Sequence, residues 1–305
     1  MINRIASMAS APTPAIPAGT DDPVAAIDSQ SERHLVPAGA GHVAWRRFGH
    51  GAPLVLLHGG HGSWRHWLRN IEALAPKRTL WVPDLPGYGE SAPPAEPTLP
   101  SLVATLHDSL AELIGPETPI DLAGFSFGGL VAAHFAVHRG LMSRLALIGP
   151  AGHGGTRRPR GELQSWREAH RQGDHAALRA IMRHNLLQHM LHEEAAVDET
   201  ALRVHIDSCL AARFHSRPIS RAGGLLPVLD RFTGPTLMLW GEHDVTATPA
   251  ELLPRLLSGH PHRQGRILPG AGHWALYEAA GAVNAVLQDF LARPQPESEQ
   301  PTPGR

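Results

Sequence analysis

Ser126 stands at the centre of GFSFGG, with Gly124 two residues before it and Gly128 two residues after. A serine hydroxyl attacks carbonyl carbon only when a base takes its proton and hydrogen-bond donors meet the charge that develops on oxygen. An apolar, strand-like IDLAGF precedes the serine and a helix-like GGLVAAHF follows it. A sharp strand-to-helix turn folds the chain back on itself, so side chains at 124 and 128 would collide and glycine is required there. Such a turn exposes Ser126 at the start of a helix, where the Phe127 N–H is free to bind an oxyanion. Ser126 is therefore the candidate nucleophile rather than an ordinary turn serine.

The base must be sought by position, because a chain with 21 histidines makes histidine identity uninformative. His273, in GAGHWALYE, follows a short strand and precedes the last amphipathic helix, so a loop can project it across the sheet edge. His260 and His262 lie in a polar segment expected to face solvent. A carboxylate must hold the imidazole in the useful tautomer, and Asp244 closes TLMLWGEHD at a strand end, with Glu242 as its local competitor. The second oxyanion donor is expected from LLHGGHGSW as the N–H of Gly60, with His61 directed into the same cleft and His58 bonding the glycine loop. Phe125, Phe127 and Trp274 are expected to border the pocket and make it fairly apolar.

Other chemistries find less support. Neither a G-x-x-x-x-G-K-S/T loop nor a G-x-G-x-x-G turn follows the first strands, which argues against nucleotide binding. His184, His189 and His192 lack the H-E-x-x-H arrangement and read as polar packing, so neither a metal nor an organic cofactor is expected. Cys209, the only cysteine, rules out an intrachain disulfide and reads as a small buried hydrophobe. Lys and Arg total 27 against 28 Asp and Glu, so no global field recruits nucleic acid or an anionic membrane.

Strand-like runs alternate with helix-like ones from APLVLLHGG to SRLALIGP and again from PTLMLWGEHD to the end. That alternation predicts a mostly parallel sheet with helices on both faces. Residues 34–150 and 233–293 are expected to form this core. Between them, 151–232 is rich in Arg and His and lacks strand patterning, which predicts an inserted helical subdomain. SWRHWLRNIEALA and HWALYEAAGAVNAVLQDFLA each read as a helix. The Pro-, Ala- and Ser-rich residues 1–33 and the Pro-rich 294–305 read as disordered tails. With no apolar run of bilayer length and no signal-peptide core, a cytoplasmic location is expected, and a homo-oligomer is compatible with the composition.

Taken in order, LVLLHGGHGSWRHW, WVPDLPGYGES, GFSFGG, WGEHD and GAGHWALYE resemble successive motifs of the α/β-hydrolase superfamily over residues 35–293. The resemblance implies the order Ser126, Asp244, His273 for the triad, which favours Asp244 over Glu242. It also implies a mobile helical cap at 151–232 that covers the site and sets substrate choice. In motif style the chain is similar to meta-cleavage-product C–C hydrolases and small carboxylesterases; enol-lactonases and proline iminopeptidases carry similar strings. Where the C–C hydrolases resemble G-N-S-M-G-G, this chain has Phe125 and Phe127. Haloalkane dehalogenases and epoxide hydrolases are similar in fold but use aspartate as nucleophile.

Three readings follow. The main one is a serine hydrolase cleaving a small, fairly apolar carboxylic ester through an acyl-enzyme. A C–C hydrolase would act on an anionic vinylogous diketone, gripped by an arginine such as Arg179, Arg183, Arg203 or Arg213. A non-catalytic ligand-binding protein would retain the same residues without turnover.

Overall fold

A strand covered on both faces has apolar side chains pointing both ways, and the third strand shows this. Leu54 and Leu56 join one buried cluster while Val55 and Leu57 join another on the opposite face. The computed structural model describes residues 22–293. Its strands are β1 (Glu32–Ala38), β2 (Gly41–Phe48), β3 (Ala52–Leu57), β4 (Arg78–Pro83), β5 (Ile120–Phe125), β6 (Met142–Ile148), β7 (Thr236–Gly241) and β8 (Arg263–Leu268). They form one sheet in the order β1-β2-β4-β3-β5-β6-β7-β8. The β1–β2 hairpin and the β2–β4 pair are antiparallel; every other pair is parallel.

The connectivity places the site. From β3 the chain moves outward to β4, then returns across β3 to β5, so the direction of winding reverses between β3 and β5. Loops leaving the carboxyl ends of two such strands turn apart and leave a crevice. The loops leaving β3 and β5 carry Gly60 and Ser126 respectively.

Helices Ile71–Leu74 and Ala280–Ala292 cover the face of Leu54 and Leu56. Helices Leu99–Ile114, Phe127–Arg139 and Pro249–Leu257 cover the other. Between β6 and β7 the described chain forms no strand. It runs irregularly through residues 152–165 and then forms helices Arg167–Gln172, His175–His189, Glu199–Ala211, Ser216–Arg221 and Leu225–Leu229. Leu178, Met182, Leu202 and Cys209 make a small separate core for this insertion. Burial pushes the Cys209 thiol up to about 12, so it packs as a hydrophobe.

Three expectations need correction. The expected tail at 1–33 is too long: Pro23–Asp28 is helical, β1 begins at Glu32, and Val24 and Ile27 are buried against the core. Asp22 caps that helix by accepting from Val24 N–H at 3.0 Å, and Asp28 pairs with buried Arg46 at 2.6 Å. Residues 1–21 and 294–305, the remaining tail assignments, lie outside the described residues. The helix read in SWRHWLRNIEALA is instead a 3-10 turn, Trp64–Trp67, and a single α turn, Ile71–Leu74. Buried Asn70 separates them, its amide donating to Asn284 Oδ1 at 2.8 Å. The last helix is likewise two, Ala275–Glu278 and Ala280–Ala292, broken at Ala279.

The Pro23–Asp28 packing sets a stability test. Ile27→Ala is expected to lower the unfolding free energy by about 2 kcal/mol in urea titration, the low end for removing buried aliphatic volume. A truly disordered segment would show no change.

Candidate active site

The turn after β5 is built as its glycines require. A Cβ on Gly124 would lie 2.3 Å from the Gly128 carbonyl oxygen, and one on Gly128 would lie 2.3 Å from the His58 carbonyl oxygen. Between them Ser126 adopts φ 53° and ψ −117°, a conformation that side-chain-bearing residues rarely occupy. Its N–H donates to Ile148 O at 2.9 Å, and its carbonyl accepts from Gly129 at 2.9 Å and Ala151 at 2.9 Å, so the strained residue is fixed on both sides.

The three residues expected to act together meet. Ser126 Oγ is 2.9 Å from His273 Nε2, and His273 Nδ1 is 2.8 Å from Asp244 Oδ2. The consistent tautomer has Nδ1–H donating to the carboxylate and Nε2 accepting from the serine hydroxyl. Asp244 is fully buried, and burial works to raise its carboxyl. The His273 charge, its hydrogen bond and two donors from Thr246 outweigh that and hold the group below its ordinary value. Both the N–H and the hydroxyl of Thr246 reach Asp244 Oδ1 at 2.7 Å. Glu242, the competing carboxylate, instead accepts from Gly270 N–H at 3.1 Å.

The N–H groups of Gly60 and Phe127 make no hydrogen bond to any described residue. A Cβ on Gly60 would lie 3.6 Å from Phe127 Cβ, and one on Gly59 3.1 Å from Ser126 Cβ, so the two loops are in contact. His58 holds the glycine loop: its Nδ1–H donates to Gly59 O at 2.8 Å and its Nε2 accepts from Leu85 N–H at 2.8 Å. Burial keeps that imidazole below its usual titration range, which preserves the acceptor.

A hydroxyl, an oriented imidazole and two free amides at a sheet's switch point form an arrangement that can support acyl transfer. A family model described as alpha/beta hydrolase fold matches residues 52–280. The chain belongs to this family. Among sequence relatives, the 2-hydroxy-6-oxononadienedioate/2-hydroxy-6-oxononatrienedioate hydrolase of Cupriavidus pinatubonensis is 29% identical over 259 residues, 78% of this chain and 86% of that protein. The pimeloyl-[acyl-carrier protein] methyl ester esterase of Vibrio campbellii is 40% identical over 95 residues, 31% of this chain and 35% of that protein. Carboxylesterase CesB of Bacillus subtilis superposes with a TM-score of 0.71 at 20% identity, covering 89% of this chain and 95% of that one, a likeness of fold.

In this α/β-hydrolase, a cavity of about 650 Å³ lies between the sheet and the insertion. Ser126, His273, Gly60, His61, Phe125 and Phe127 all line it. Trp274 does not: it is fully buried behind the site, stacks on Tyr277 and donates to His66 O at 3.1 Å. Its expected place in the pocket is corrected to a support beneath it. The expectation of a fairly apolar pocket is also corrected. Arg157, Arg160, Arg167, Arg217 and Arg221 line the cavity, and among the described residues no aspartate or glutamate does.

None of the four arginines expected to grip an anion lines it. Arg179 and Arg203 pair with Glu199 and Asp22 at 2.6 and 2.8 Å, while Arg183 and Arg213 donate to the Val197 and Ser91 carbonyls at 2.8 and 2.6 Å. The histidines weighed as metal ligands do not converge. His184 bonds Glu162 O, His189 faces the cavity and His192 stacks on His243. Thr246 and Glu278 escape a reading of the sequence. Glu278 accepts the Gly272 N–H at 2.6 Å, one residue before His273, and also those of His192 and Glu193 at 2.8 and 2.7 Å. Its only sequence signal is its place five residues beyond His273 at a helix end.

Two outcomes test this geometry. Gly124→Ala, whose new methyl meets backbone rather than a movable side chain, should lower stability by about 1–3 kcal/mol. Thr246→Val should cost about 1–3 kcal/mol at neutral pH by depriving a buried carboxylate of a donor. Because folding depresses the Asp244 carboxyl, its contribution is fully present above the unfolded value of 3.8 and is lost as pH falls through the lower folded value. The gap between wild type and Thr246→Val in chemical denaturation should therefore narrow below that point.

Proposed function

We propose that this protein is a serine hydrolase that cleaves a small carboxylic ester through an acyl-enzyme. The observation carrying this reading is the pair of contacts made by His273, 2.9 Å to Ser126 Oγ and 2.8 Å to Asp244 Oδ2. Ser126 Oγ attacks the ester carbonyl carbon while its proton passes to His273 Nε2. The Gly60 and Phe127 N–H groups stabilise the tetrahedral oxyanion, and Asp244 stabilises the imidazolium. As the C–O bond breaks, His273 Nε2–H protonates the departing alkoxide. Water then gives a proton to His273 and attacks the acyl carbon, and the returning proton restores Ser126 as the carboxylic acid leaves. Phe125, Met182 and Met190 suit an apolar acyl portion.

A second reading, hydrolysis of a C–C bond in a vinylogous diketone, has two specific supports. The Cupriavidus relative bears the name of such an enzyme over most of both chains, and the arginines lining the cavity suit an anionic substrate. The same residues would act, with His273 delivering its proton to carbon instead of oxygen. A side-by-side panel of 4-nitrophenyl esters and 2-hydroxy-6-oxo-dienoates separates the two: preferred turnover of the dienoates rejects the ester reading.

Ser126→Ala is expected to remain folded by circular dichroism and to lose at least about 10³-fold in turnover, as when a triad nucleophile is removed. A fluorophosphonate should label wild type at Ser126 and leave the variant unlabelled. An accessible, folded wild type that resists labelling would instead favour a ligand-binding role.

A further inference from the structure

The chain is nearly neutral overall, yet the wall of the cavity is not. Arg157 and Arg160 come from the irregular stretch at 152–165, and Arg217 and Arg221 from helix Ser216–Arg221, about sixty residues later in the sequence. Several arginines elsewhere pair with carboxylates, among them Arg179 with Glu199, Arg203 with Asp22 and Arg263 with Asp230. Among the described residues, none of these four arginines has a carboxylate partner at ion-pair distance. Arg157 reaches only the Ser220 carbonyl, at 3.3 Å, and Arg160 only that of its neighbour Gly161, at 3.0 Å.

Like charges gathered without counter-ions repel, and both groups register it. Partial loss of solvent around the guanidiniums lowers Arg157 and Arg160 first, and the fields of Arg217 and Arg221 lower each further. The one carboxylate that opposes this at Arg157 is Asp244, which is already engaged by His273. The stretch carrying Arg157 and Arg160 is held in place. Asn185 accepts from Gln164 N–H at 2.8 Å and donates to Gln164 O at 2.9 Å, while Gln188 accepts from Gly161 N–H at 3.0 Å. Guanidiniums gathered without counter-ions repel one another, and an anion that bonds several of them at once relieves that repulsion.

The inner wall is different in character. His189 is shifted down to about 3 and His205 to about 4, chiefly by burial, so both are neutral at ordinary pH and stand beside Phe125, Met182 and Met190. Arg157, Arg217 and Arg221 are exposed, which puts the positive charge at the opening and leaves the interior neutral.

We propose that Arg157, Arg160, Arg217 and Arg221 form a subsite at the mouth of the cavity for a group bearing two or more negative charges, a phosphate or a polycarboxylate, on the outward end of the substrate. The subsite rests on the serine-hydrolase reading only in being attached to that cavity. A single carboxylate would leave most of the four positive charges unmatched. A phosphoryl group or a polycarboxylate presents several acceptor oxygens to several guanidinium forks at once.

Calorimetric titration of the full-length protein at low ionic strength, with pyrophosphate and separately with tricarballylate, tests this. Saturable one-to-one binding of at least one anion is expected, and the tighter of the two identifies phosphate or polycarboxylate as the chemistry. The triple variant Arg157→Gln, Arg217→Gln, Arg221→Gln should bind at least about tenfold more weakly, since several charge-assisted bonds are lost together. Arg179→Gln, which removes an exposed arginine paired with Glu199, should bind as wild type does. Thermal melts establish that the variants are folded. Heat of dilution alone for both anions, or equal affinity in wild type and the triple variant, overturns the proposal. Fluorophosphonate labelling of wild-type Ser126 reports separately on the nucleophile, so either idea can fail while the other stands.

Discussion

Ser126 sits in a strained, positive-φ backbone conformation because chain passes close on every side of it, and the site's geometry depends on that constraint. Gly124 and Gly128 leave no room for a Cβ, so the chain can leave β5 and enter helix Phe127–Arg139 within a single residue. The strain, of order 1–3 kcal/mol for such a residue, is carried by buried strands on both sides of β5. In return the hydroxyl projects at the sheet's edge with a free amide beside it. A relaxed turn would leave the same residues in the sequence without bringing hydroxyl and imidazole into register.

Around that point the support is layered. Thr246 holds Asp244, Asp244 holds His273, and His58 holds the glycine loop that faces Phe127. Each link is a hydrogen bond between buried groups, where water does not compete and a missing partner costs more than it would at the surface. Several histidines share this region, but burial keeps His58, His66 and His189 uncharged at neutral pH. His273 differs from them in bridging a buried carboxylate and a serine hydroxyl.

Much of this could be read from the chain because the relevant signals are local. The G-x-S-x-G spacing, the apolar run before it and the helix after it are contiguous, and alternating strands and helices admit few topologies. What escaped was of other kinds. The Pro23–Asp28 helix lies in a Pro- and Ala-rich stretch that resembles a tail, although the Asp22-Pro23 pair is a helix-start signal. The arginines around the cavity come from an aperiodic stretch and a six-residue helix, and nothing in either announces that they meet. Trp274 follows His273 directly, yet its side chain turns into the core, where the ring stacks on Tyr277 and the indole N–H finds the His66 carbonyl.

Glu278 gives the architecture a mechanical property. One carboxylate gathers amides from two loops: Gly272, in the loop that presents the imidazole, and His192 with Glu193, in the loop that follows the inserted helix His175–His189. Trp274 N–H adds a fourth tie, donating to Met190 O at 2.6 Å. The insertion over the cavity and the loop that carries His273 thus share one set of hydrogen bonds. Displacing residues 190–193 would therefore break bonds shared with the loop that carries His273.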